Sequence, residues 1–128
     1  MNTALTCIGL LGLLVFGLGV RVSLLRTSTN TLIGSSTDPA DPLYKWMRAH
    51  GNACEFVPML ALLIYVAAMR GPSGFMKLVM VLAVLARYLH AAGMVASSSL
   101  DQPQNLRFAG ALGTYITGLL LSLSVLFG

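Results

Sequence analysis

The sequence predicts an all-α integral membrane protein, a bundle of four transmembrane helices, and three observations carry that expectation. First, 56% of the 128 residues are hydrophobic and only 9% are charged, whereas soluble domains carry about 25% charged residues. With a mean hydropathy of +0.81, a soluble surface cannot be assembled from this chain. Second, four apolar stretches approach the roughly 20 residues that a membrane-crossing helix needs. Together with short connections they use nearly all of residues 1–128, which therefore read as one four-helix transmembrane domain. Third, the few charged residues inside those stretches recur at helical spacing, as expected if a bundle turns them toward one another.

Residues 4–25 are the first predicted helix. The apolar run ALTCIGLLGLLVFGLGV, residues 4–20, is closed by Arg21 and Arg26. No positive segment precedes it and no Ala-x-Ala site follows, so it reads as a membrane helix and not as a signal peptide. Residues 27–42 (TSTNTLIGSSTDPADP) are rich in Ser, Thr, Asn, Asp, Gly and Pro, residue types that favour turns over helix. This is the one substantial loop and the candidate lid.

Helix 2 is predicted over residues 43–69, after a Pro42 suited to a first helical turn, and stops before Arg70-Gly71-Pro72-Ser73-Gly74. Its first half is amphipathic through Lys45, Arg48, His50, Asn52 and Glu55. Helix 3, residues 75–96, is apolar except for Lys77, Arg87 and His90, and the run from Ser97 to Gln104 breaks it. Helix 4, residues 105–127, has Arg107 near its start. Gly110, Thr114 and Gly118 form a small-xxx-small row that lets a neighbouring helix approach closely. Gly9, Gly12, Gly17 and Gly19 of helix 1 read as packing positions too, without the strict four-residue spacing.

The formal net charge of +4 does not make this a nucleic-acid binder. Its eight Lys and Arg residues are scattered one or two per segment, with no basic patch and no interleaved aromatics. They read instead as topology signals. Arg21, Arg26, Lys45, Arg48 and Arg107 gather on one side and Arg70 and Lys77 on the other, which predicts both termini outside the cytoplasm. Cys7 and Cys54 are expected to be small core residues. His50 and His90 lack a third ligand, so no metal site is expected. Apart from Ser23 near the end of helix 1, the serines lie in loops or near the end of helix 4, away from both histidines, so no nucleophilic triad is expected either.

A charged side chain at the centre of a membrane helix costs at least about 2.5 to 3.5 kcal/mol on insertion scales, so such residues need partners. Arg48, Asn52 and Glu55, spaced i, i+4, i+7, share one face of helix 2. His50 falls off that face, toward a neighbouring helix or the loop. Arg87 and His90, at i, i+3, share a face of helix 3. Arg21 closes helix 1 and Arg107 opens helix 4, so four arginines and one glutamate share a level of the bundle. One Glu cannot neutralise four Arg, and an anionic ligand would relieve the excess charge. The plainer alternative is that Arg21 and Arg107 snorkel to the headgroups while Arg48 pairs with Glu55.

The run Arg48-Ala49-His50-Gly51-Asn52-Ala53-Cys54-Glu55-Phe56-Val57-Pro58 resembles the R-x-H-x-N-x-x-E-x-x-P signature of the membrane-associated proteins in eicosanoid and glutathione metabolism, the MAPEG family. Val20-Arg21, the stretch Ala86 to Gly93, and Arg107-Phe108-Ala109-Gly110 extend the similarity across all four helices. The resemblance implies a homotrimer with glutathione bound between subunits toward the cytoplasmic side. Carried over by position, Arg21, Arg48, His50, Asn52, Glu55, Arg87 and His90 would hold the tripeptide, and Arg107 would stabilise its thiolate. The activity implied is that of a glutathione transferase or peroxidase acting on lipophilic electrophiles or hydroperoxides drawn from membrane lipid. The family also has a non-catalytic branch that binds lipids or partner proteins. The chain departs from the family pattern in several places. Ala111 stands one turn after Arg107 and Met94 seven residues after Arg87, both where family members carry Tyr. Gly51 takes a position that is Arg in the prostaglandin synthase branch, and Tyr115 is two turns from Arg107. A transporter is disfavoured by the absence of inverted repeats. With no eukaryotic targeting signal, a bacterial inner membrane is the expected location.

Overall fold

The computed structural model describes residues 1–128 as four α-helices and no strands. α1 spans Asn2–Ser28, α2 Pro42–Met69, α3 Gly74–Ala96 and α4 Asn105–Phe127, and each is long and apolar enough to cross a membrane. α1 outruns its predicted end by a turn. Its last carbonyls are closed by the backbone, the Thr29 N–H donating to Leu25 and the Thr31 N–H to Arg26, while the hydroxyls of Thr27, Ser28 and Thr29 add second bonds to the carbonyls of Ser23 and Leu25. Three starts are capped by side chains. Asp41 accepts from the Tyr44 N–H at 2.8 Å, Ser73 from Met76 at 3.2 Å and Gln104 from Arg107 at 2.6 Å, each occupying an amide that lacks a helical partner. Pro58 lies inside α2, which runs on through it.

α2 and α3 cross the middle of the bundle, with α1 packed on one side of the pair and α4 on the other; α1 and α4 do not touch. The core between them is built from small and aliphatic side chains with methionine, among them Leu11, Ala53, Ile64, Met80, Ala83 and Leu121. α3 and α4 pack most closely of all. A Cβ added to Gly110 would strike the backbone of His90 and Ala86, and one added to Gly93 would strike the backbone of Arg107. Glycine is what allows these two backbones to meet.

The small residues of α1 do not behave as the sequence suggests. A Cβ at Gly9, Gly12 or Gly17 would meet nothing within 4 Å, and only Gly19 faces a neighbour, the His50 ring of α2. About half of the large apolar side chains of α1 point outward, Phe16 and Leu13 being 76% and 68% exposed, as in a helix that faces lipid or another chain.

Both polar connections lie at one end of the bundle. The Leu100 amide donates to the Pro39 carbonyl at 2.9 Å, and the Lys45 ammonium donates to the Ser97 carbonyl at 2.8 Å. At the other end, Arg70 donates to the carbonyls of Val125 and Gly128 at 2.7 and 2.9 Å, closing the C-terminus of α4.

Candidate functional site

The polar end of the bundle holds a buried charge. Arg87 is 1% exposed although it sits among apolar residues of α3. One guanidinium nitrogen, Nη2, donates to Asn52 Oδ1 of α2 at 2.5 Å. The other, Nη1, donates to Thr114 Oγ1 of α4 at 3.3 Å. The Phe56 ring lies under the cation, 5.1 Å from its centroid, and Tyr115 meets that ring edge-on at 5.7 Å. The arginine therefore ties α2, α3 and α4 together through neutral partners, with no carboxylate among them. Its Nε is buried and finds no partner at all.

This geometry also orients Asn52. With its Oδ1 taken by a cation, the amide presents Nδ2 as a donor to whatever else reaches it. Beside the guanidinium lies a small cavity of about 30 Å³, lined by Asn52, Phe56, His90, Ala111, Thr114 and Tyr115 in addition to Arg87.

His90, one turn along α3 and 8% exposed, joins this group to the start of α4. Its Nδ1 lies 3.0 Å from the Arg107 carbonyl oxygen. The Arg107 side chain turns the other way, donating to the carbonyls of Leu100 and Gln102 at 3.0 Å each. The structure thus brings the backbone of Arg107, and not its guanidinium, onto His90. A second, larger cavity of about 390 Å³ opens here, with His90, Gln104, Asn105, Arg107, Phe108 and Ala111 in its wall.

The remaining candidates lie outside this group, which corrects the expectation that all the membrane-level charges turn inward within one bundle. Arg48 and Glu55 are exposed on the outer face of α2, with i+7 spacing keeping them together but away from α3. Arg21 is exposed as well, its guanidinium 5.5 Å from the centroid of the Trp46 ring. His50 packs toward Gly19 of α1, off the face of Arg48 and Asn52 as its spacing requires. Its Nε2 is 3.5 Å from Cys54 Sγ. Cys54 is exposed and is no core residue, because it lies on the outer flank of α2; Cys7 is buried.

Phe56, Thr114 and Tyr115 belong to the site and carry no signal as chemical residues in the sequence. Phe56 lies four residues after Asn52, on the same stripe, which is the one clue to it. Thr114 reads in the sequence as a packing position only; Tyr115 reaches the site because Phe56 carries its ring toward Arg87. The structure contains no group of three metal-ligating side chains.

Among curated proteins none matches this chain. A family model described as MAPEG family matches residues 4–127, which takes in all four helices and the buried contacts joining them, and on that match the chain belongs to the MAPEG family.

Proposed function

We propose that this protein is a membrane-embedded glutathione-dependent transferase or peroxidase, acting on lipophilic electrophiles or hydroperoxides that arrive from the bilayer. The MAPEG family includes enzymes of both kinds. The observation that carries the reading is the division of the polar cluster. Arg87, Asn52 and His90 bond within the protomer, while Arg48, Glu55 and Arg21 stand exposed on the outside of an otherwise apolar bundle. Exposed charges on membrane-spanning helices are costly against lipid. A second copy of the chain, with a polar ligand between the two, removes that cost. We therefore propose a homotrimer with glutathione between subunits.

Glutathione suits such a site by charge. Its two carboxylates match Arg21, Arg48 and Arg87, its ammonium matches Glu55, and its amides can use the Asn52 amide and His50. The sulfur is proposed to lie toward Arg107, whose guanidinium leaves the Leu100 and Gln102 carbonyls to reach it and whose positive charge then favours thiolate over thiol and makes the sulfur nucleophilic. The gathering of positive residues at the end bearing the two polar loops favours that end as cytoplasmic and both termini as non-cytoplasmic, in a bacterial inner membrane. A non-catalytic lipid- or partner-binding protein of the same fold is the second reading, favoured by Ala111 and Met94 at the positions described above.

The test is glutathione calorimetry on the purified, detergent-solubilised protein, followed by a conjugation assay with chlorodinitrobenzene. Binding with turnover is expected. Arg48→Ala and Glu55→Gln are expected to abolish binding, and unchanged affinity in both variants would remove these residues from the site. Binding without turnover would move the reading to the non-catalytic branch.

A further inference from the structure

We infer that His90 is the base that takes the thiol proton of glutathione, an inference that rests on the glutathione reading above. A guanidinium has donors only, so Arg107 can stabilise a thiolate but cannot accept the proton that its formation releases. Either another group at the site or water must take it.

Hydrogen bonding settles the protonation pattern of the His90 ring. The partner of Nδ1, 3.0 Å away, is the main-chain carbonyl oxygen of Arg107. A carbonyl only accepts, so Nδ1 carries the hydrogen, and in the neutral ring Nε2 is left with the free lone pair. The ring lies in the wall of both cavities, and so does Ala111, whose methyl is too short to screen it. The His90 backbone rests directly against Gly110, where any Cβ would collide with it, and the Nδ1 contact to the Arg107 carbonyl holds the ring. The result is an unprotonated ring nitrogen on a residue that lines the same cavity as Arg107, whose guanidinium is held by the Leu100 and Gln102 carbonyls.

The other groups at this point do not offer a base. Arg87 on the same helix and Arg107 on α4 are cations, Tyr115 on α4 presents a phenol, and α2 contributes only the uncharged Asn52 and Phe56. Glu55, the one carboxylate nearby, lines an adjoining groove that shares Phe56, Thr114 and Tyr115 with the Arg87 cavity but does not include His90, and in the glutathione reading it faces the ammonium. In the step assigned to His90, the S–H bond breaks and an N–H bond forms at Nε2, giving an imidazolium still bonded through Nδ1 to the Arg107 carbonyl. The sulfur electron pair then forms the bond to the electrophilic carbon. With chlorodinitrobenzene the chloride departs with the pair of its broken bond, and the proton passes from Nε2 to water.

His90→Gln tests this, because Gln retains an N–H donor for the carbonyl and has no basic nitrogen. In the purified protein, general-base loss lowers kcat by about 10²-fold or more. The KM for glutathione is expected to stay within about threefold, and the ultraviolet thiolate band of bound glutathione is expected to move to higher pH. Added imidazole is expected to restore part of the rate. An unchanged thiolate band, or an equal loss in kcat and affinity, would overturn the role. If the variant does not fold, wild-type calorimetry in buffers of different ionisation heat decides. Thiolate formation with no matching proton release near neutral pH, where the free imidazole can accept a proton, supports His90 as the acceptor, and release of a full proton there overturns it. Absence of glutathione binding in the wild type would overturn this inference together with the reading beneath it, whereas binding with an unaltered band in the variant would overturn this inference alone.

Discussion

Arg87 is the residue on which the polar end of the bundle depends. A buried charge without an opposite charge is costly unless its donors are occupied and its surroundings polarisable; here Asn52 and Thr114 take two of the guanidinium nitrogens and the Phe56 ring lies under the cation, while Nε is left without a partner. Hydrogen bonds to charged groups are worth about 1.5 to 3 kcal/mol. Asn52→Ala is expected to lower stability by that amount in the absence of any ligand, since it strands the guanidinium on one side. Thermal unfolding in detergent checks it, and an unaltered transition would show that Asn52 is not what holds the cation. The sequence makes Asn52 and Arg87 candidates by cost alone. It cannot show that they bond to each other, because they lie 35 residues apart and only the crossing of α2 and α3 joins them.

At the scale of the element, the α3–α4 pair carries the site, and its geometry is set by where side chains are missing. Gly110 admits the His90 backbone, Gly93 admits the backbone of Arg107, and Gly113 meets the Ala86 methyl. Gly118, four residues after Thr114, faces only Leu60 of α2 at an ordinary contact distance of 3.7 Å. These two kinds of glycine are expected to respond differently to one added methyl. Gly110→Ala forces backbone against backbone and is expected to cost about 1 to 3 kcal/mol, whereas Gly118→Ala is expected to leave the unfolding transition within about 0.5 kcal/mol. Equal effects would mean that the close approach of α3 to α4 is not set by Gly110. The small-residue row in the sequence points to helix 4 as a packing helix but misses Gly93 and Gly113, since a pattern along one helix does not show which backbone lies opposite.

For the whole molecule, the exposed half of the polar cluster is the decisive feature. Arg48, Glu55 and Arg21 lie on the outside of a bundle whose large apolar side chains also point outward, an arrangement that a single copy in lipid handles poorly. Native mass spectrometry from mild detergent is expected to give three copies of the chain, and a clean monomer would remove the intersubunit site. Orientation is open to an independent measurement: alkaline phosphatase fused after Gly128 is expected to be active and a fluorescent protein there dark. The reverse pattern would place the two polar loops outside the cytoplasm.

The sequence by itself determined the helical membrane class, because hydrophobic run length and the scarcity of charge leave no other structure with a satisfied backbone. It also determined which residues are too costly to be incidental, and that Arg48, Asn52 and Glu55 share a stripe of α2. The tertiary structure alone decided which of them look inward. Spacing along a helix gives a face but not the direction that face points, and that direction follows from how α1 and α4 close around the α2–α3 pair. Asn52 turns to Arg87 because α3 crosses α2 there; Arg48 and Glu55 remain outside because no helix of the same protomer covers them.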